Sequence, residues 1–178
     1  MENNIIITKN VLGEEIHQYS NKLSAGAVAQ EHGKIFEDAV GNILEDLLSN
    51  GYHIKNQPKY IDHYDIGDED TRYKDFLLEP YSTEDTPIMI EVKQLGDCTI
   101  VPKLDYEWNN LQAGCYGKNF WLIYDYRREN KSAIHMVHKL KIYCTKLAEK
   151  VLKDKGIKFH FIDHNDLKGF LSNEIHKN

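Results

Sequence analysis

Asp75, Glu91 and Lys93 are the residues of this chain whose types and spacing carry the clearest chemistry. Glu91 and Lys93 close the apolar run 87–93 (PIMIEVK), which has the composition of a strand. Side chains alternate on a strand, so Glu91 and Lys93 share one face while Val92 packs on the other. Upstream, the run 72–78 (RYKDFLL) reads as a second strand with Asp75 at its polar-to-apolar transition. Residues 79–86 read as the turn that makes the two a hairpin. If these strands pair, two carboxylates converge on one cation with an ammonium beside them. Such a set suits metal-assisted hydrolysis of a phosphodiester.

The elements needed to position this group are legible around it. Residues 25–50 have helical periodicity, with Phe36, Val40, Ile43, Leu44 and Leu47 at three- and four-residue steps, Ser24 as a cap and Gly51 as a stop. A short strand over 52–56 follows, then a loop dense in acids over 62–70 whose spacing does not match a calcium-binding loop. Gly96 lies in the connection after Lys93, and a second helix opens at Pro102 or Lys103 with Leu104, Trp108, Leu111 and Cys115 inward. The run 119–124 (NFWLIY) is apolar throughout, as expected of a strand covered on both faces. Residues 125–130 form a polar loop carrying Arg127 and Arg128. A basic amphipathic helix over 138–155, a strand over 157–162 and a short helix over 166–171 complete the pattern. His135, His138, His160 and His164 have no spacing that makes them ligands and read as ordinary histidines.

Asp75 followed by Glu91-x-Lys93 resembles the signature of the PD-(D/E)xK nuclease superfamily, although Lys74 stands where the naming proline would be. Two further stretches extend the likeness. Gly33 and Glu37 lie one turn apart on the first helix, where members of the superfamily carry an acid that helps hold the metal or its water. Gln112 and Tyr116 resemble the Gln-x-x-x-Tyr motif of the RecB-like branch, an amide and a phenol placed to bind a phosphate or to orient the lysine. The resemblance spans about residues 25–125 and implies an α/β fold with a restriction endonuclease-like αβββαβ core. That core is a central mixed sheet flanked by helices, here with a C-terminal helix-strand-helix extension. It further implies one or two Mg2+ ions, replaceable by Mn2+, held by Asp75, Glu91, the Val92 carbonyl and Glu37, with Lys93 beside the attacking water. The implied activity is DNA hydrolysis leaving 5'-phosphates, by an endonuclease of restriction or resolvase type acting as a homodimer. A RecB-like exonuclease acting on DNA ends, a nuclease toxin domain and a non-catalytic nucleic-acid-binding or structural member are the other readings. The toxin reading comes from Glu2-Asn3-Asn4, which resembles the junction preceding toxin domains of contact-dependent inhibition proteins.

The bulk properties agree with a single domain. At 178 residues and 41% hydrophobic composition the chain can bury one core, divided into an N-terminal arm (1–23), a catalytic core (24–125) and a C-terminal elaboration (126–178). No apolar run is long enough for a membrane span, the first ten residues do not read as a signal peptide, and no small-molecule cofactor motif occurs. Cys98, Cys115 and Cys144 show neither disulfide nor metal-knuckle spacing, so a reducing, cytoplasmic setting is expected. The net charge of -6 is unevenly distributed: residues 1–117 hold 9 Lys+Arg against 21 Asp+Glu, whereas residues 118–158 hold 11 against 4. Such a basic segment can meet phosphates, with Arg127 and Arg128 as candidate contacts, and it can equally be the solvated face of a helix.

Overall fold

Phe36, Val40, Leu44 and Leu48 recur every four residues along helix α1 (Ala25–Leu48) and are almost wholly buried, so the apolar stripe read from the sequence is the face that packs. This is a computed structural model, describing residues 5–9, 15–19, 25–60, 72–95, 100–126, 128 and 131–175. Strands β1 (Ile5–Lys9) and β2 (Glu15–Tyr19) form an antiparallel ribbon in the segment expected to be an arm. After α1 come β3 (Tyr52–Asn56), β4 (Lys59–Tyr60), β5 (Arg72–Tyr73), β6 (Phe76–Pro80) and β7 (Ile88–Leu95). Helix α2 (Ile100–Ala113), β8 (Asn119–Tyr126), α3 (Lys131–Leu147), β9 (Lys158–Asp163) and α4 (Leu167–Ile175) complete the chain. Ser24 and the acidic loop 62–70 lie outside the described residues.

The main sheet has five strands in the order β3-β6-β7-β8-β9. β3, β6 and β7 are antiparallel neighbours, while β7, β8 and β9 run parallel, so the sheet is mixed. A parallel pair needs a crossover, and α2 supplies it between β7 and β8 as α3 does between β8 and β9. Both faces are covered. Phe36, Val40 and Leu44 of α1 and Leu167 and Leu171 of α4 pack on Ile88, Ile90, Trp121 and Ile123. On the other face Trp108 and Leu111 of α2 and Val137, Leu140 and Cys144 of α3 pack on Met89, Phe120, Leu122 and Tyr124. The alternation along β8 feeds one core with even-numbered residues and the other with odd-numbered ones. Among the described residues no helix is long and apolar enough to cross a membrane.

Three expectations change. The strand expected over 72–78 is broken at Lys74 and Asp75: the β4–β5 pair and the β3–β6 pair are separate ladders, with Gln57 at a φ of 50° in the facing chain. The basic helix begins at Lys131, seven residues earlier than its periodicity indicated, and ends in a π-helical turn, Ala148–Leu152. Asp125 and Tyr126, expected in a loop, belong to β8.

Candidate active site

The expected hairpin exists, and its register brings the acids together. Phe76 pairs with Ile90, Leu77 with Met89 and Leu78 with Ile88. Continued by one residue this register places Asp75 opposite Glu91, and there the ladder ends. Instead of a backbone rung, Asp75 Oδ2 accepts the Val92 N–H at 2.6 Å. The N–H and C=O of one residue leave an extended strand by the same edge, so the Val92 carbonyl also faces this gap. Its side chain joins the core on the α1 side, and Glu91 is turned to the α2 side.

The strand break explains a feature that unbroken alternation would forbid. Neighbours on a regular strand point to opposite faces, yet Lys74 and Asp75 both direct charge at Glu91. The backbone holds the break: Gln57 N–H donates to the Asp75 carbonyl at 2.9 Å and Lys74 N–H to the Pro58 carbonyl at 3.1 Å. Lys74 Nζ then lies 2.6 Å from Glu107 Oε2 and 3.2 Å from Glu91 Oε2, with both carboxylates buried. Tyr116 donates its hydroxyl to Glu107 Oε2 at 2.8 Å. Lys93 Nζ contacts the other oxygen, Glu91 Oε1, and stands 4.0 Å from Glu107 Oε1. Glu91 is therefore held by two ammonium groups, one at each carboxylate oxygen.

Burial, followed by the charge of Glu91, pushes the Asp75 carboxyl up to about 7, against the stabilising Val92 hydrogen bond. Burial and then Glu91 likewise raise Glu107. For Lys93 burial acts downward, but Glu91, Glu107 and Asp75 outweigh it and hold the ammonium protonated above its usual range. Glu37 of α1 is half-buried, and its carboxyl is raised by burial, then by Asp38 and Glu91. It lines an open groove of about 970 Å3 between α1 and the broken strand, with Val92, Phe76, Asn56 and Gln57 on the opposite wall. The close approach here involves Gly41 rather than Gly33 of the expected turn. A Cβ at Gly41 would meet the Phe76 ring at 3.2 Å, while one at Gly33 would meet nothing within 4 Å.

The remaining sequence candidates are placed elsewhere. Helix α2 ends at Ala113, and Gly114 and Gly117 have φ of 84° and 76°, so Gln112 and Tyr116 do not share a helix edge. Tyr116 is buried, with its hydroxyl turned inward to Glu107; burial first, then the charge of Glu107, raises its phenol well above the ordinary value. The Gln112 carbonyl accepts from Lys155 Nζ at 2.9 Å, at the end of the sheet where β8 begins. Arg128 is engaged by acids of the protein, 2.6 Å from Asp163 Oδ1 and 3.0 Å from Asp125 Oδ1, over the Tyr126 ring. It braces the ends of β8 and β9. Arg127 lies outside the described residues.

Glu107 and Lys74 join the site beyond the residues expected from the sequence, though a signal for each exists. Glu107 falls three residues after Leu104 and four before Leu111, on the inward stripe of α2, where an acid must have a partner. Lys74 directly precedes Asp75, a charged residue within the run expected to enter the sheet.

Among the described residues no three His, Cys, Asp or Glu side chains are grouped to hold a metal by themselves. Mg2+ does not require three, since one or two carboxylates with waters and substrate phosphate satisfy it. The donors present fit that mode. Asp75 and Glu91 crowd one another electrostatically, and Glu91 Oε2, buried, is near Lys74 Nζ but off the line of a hydrogen bond and accepts none. No family model matches the chain, no curated protein matches it in sequence, and no solved structure matches it.

Proposed function

We propose that this chain is a Mg2+-dependent deoxyribonuclease, with a restriction endonuclease-like core whose reacting centre is Asp75, Glu91 and Lys93. The observation that carries the reading is the register: β6 and β7 set Asp75 opposite Glu91 one residue past the last rung, and Lys93 follows on the face of Glu91. The element order α1, three antiparallel strands, α2 and a parallel strand agrees with the αβββαβ order that the sequence resemblance implies.

The geometry supports the following roles. Asp75, Glu91 and the Val92 carbonyl would hold the ion, and Glu37 on the groove wall would orient a water toward it. The divalent ion supplies Lewis-acid activation of water and neutralises phosphate charge. Lys93 is held charged, so it acts as an ammonium that stabilises negative charge growing on the phosphoryl oxygens, rather than as a base. Asp75, with its affinity for a proton raised, is the better-placed acceptor when no ion is present. Substrate is met by the lysines exposed on α3, among them Lys139, Lys141 and Lys146, because Arg128 is already paired. With Tyr116 turned inward, the end-processing exonuclease reading loses its motif, which favours an endonuclease that pairs two copies to cut two strands.

Incubation of the full chain with supercoiled plasmid and Mg2+ or Mn2+, beside Lys93→Ala and an EDTA control, tests the proposal. Metal-dependent linear or nicked products that vanish in the variant are expected. Intact plasmid and intact linear DNA with either metal would sink it.

A further inference from the structure

We infer that the Lys74 ammonium occupies the position of a second cation between Glu91 and Glu107, so that the site takes one divalent cation and not two. The inference rests on the metal-dependent reading above and specifies its stoichiometry.

The position of Lys74 Nζ is that of a bridging cation. It lies between carboxylates from two elements, 3.2 Å from Glu91 Oε2 on β7 and 2.6 Å from Glu107 Oε2 on α2. Three rings enclose it, with centroids at 4.5 Å for Tyr116, 5.2 Å for Tyr60 and 6.0 Å for Phe120. Ring faces attract cations, so the cage adds to the two ion pairs. The Lys74 side chain is 2% exposed and its backbone is tied to Pro58, whereas the Lys93 side chain is 28% exposed. The two lysines on Glu91 therefore differ in kind. Lys93 can swing aside and release Glu91 Oε1 to an incoming ion, while Lys74 cannot leave without stranding Glu107 in the core.

Charge balance leads to the same count. Buried charge is tolerated when it is compensated. Asp75, Glu91, Glu107 and Glu37 carry four negative charges, and Lys74, Lys93 and one divalent ion supply four positive ones. A second divalent ion would either have to displace Lys74 from its rings or leave the cluster with an uncompensated excess of positive charge.

Mn2+ binding to the full chain, followed by calorimetry and native mass spectrometry at neutral pH, counts the ions without DNA or turnover. One ion per chain is expected for the wild type. In Lys74→Met the facing Glu91 and Glu107 are left to recruit a second ion, and the count rises to two. In Lys74→Met with Glu107→Gln, where both buried charges are gone, it returns to one. Two ions on the wild type would overturn the inference and leave the nuclease reading standing. No ion on the wild type would remove that reading and this inference with it. A folded Lys74→Met chain that still takes one ion would overturn the inference alone. Should that variant fail to fold, the wild-type count decides.

Discussion

Asp75 and Glu91 stand opposite each other one residue past the last rung of the β6–β7 ladder, and burial together with the Glu91 charge pushes the Asp75 carboxyl up to about 7. A group whose pKa is higher in the folded state stabilises the fold below its unfolded value, here 3.8, and loses that contribution as pH rises through about 7. The metal-free protein is therefore expected to melt at a lower temperature at pH 8 than at pH 5. Asp75→Asn should remove much of this difference, raising Tm over wild type at pH 8 and giving little or no gain at pH 5. Paired melting curves in EDTA check it, and an unchanged pH profile in the variant would show that Asp75 is not the titrating group.

A divalent ion relieves the same crowding, so Mg2+ or Mn2+ should raise Tm at pH 8. At a free concentration of about 100 times Kd the stabilisation is about 2.7 kcal/mol, or roughly 5–10 °C for a chain of this size. Glu91→Gln should abolish the shift. Calcium-free titration followed by differential scanning fluorimetry reads it directly, and a full shift retained in Glu91→Gln would place the ion elsewhere.

Lys93→Ala removes an ammonium that is partly exposed, so the fold should survive while cleavage falls by at least about 100-fold, as for loss of one charge-stabilising donor. Lys93→Arg keeps the charge with a different shape and should retain more activity than Lys93→Ala. Single-turnover cleavage at saturating Mg2+ separates the two. Equal loss in both would mean that the position, not the charge, is what matters.

The hairpin, both acids and the lysine were legible in the sequence because a strand's alternation and a turn's composition are local signals. The packing stripe of α1 was legible for the same reason, since Phe36, Val40 and Leu44 repeat along one helix. The break at Lys74 and Asp75 was not. It depends on Gln57 donating to the Asp75 carbonyl and Pro58 accepting from the Lys74 N–H, both from a distant stretch, and nothing in residues 72–78 announces that partner. Tyr116 departs from the expected helix edge because α2 stops at Ala113, before the positive φ of Gly114, three residues short of Tyr116. Arg128 looked available as a phosphate contact because Asp163, which binds it, lies 35 residues away.

Tyr116 separates a buried anchor from a substrate contact. Its hydroxyl donates to Glu107, and hydrogen bonds to charged groups contribute about 1.5–3 kcal/mol. Tyr116→Phe should therefore lower Tm by roughly 3–12 °C while leaving the KM for DNA near its wild-type value. A raised KM with an unchanged Tm would instead return Tyr116 to the substrate.

The basic helix can be tested by salt. Lys139, Lys141 and Lys146 are exposed on α3, in the segment that holds the excess of positive charge. A lysine that neutralises one phosphate releases counterions, so each removal should lower the salt dependence of binding by about one unit in log–log slope. Lys139→Ala with Lys146→Ala should thus flatten the slope by about two and weaken binding at low salt, with Tm unchanged because neither side chain is buried. Fluorescence anisotropy on a duplex across a salt series measures both quantities. A slope equal to wild type would mean that α3 faces solvent in the complex, and the phosphate contacts would then have to come from another surface of the chain.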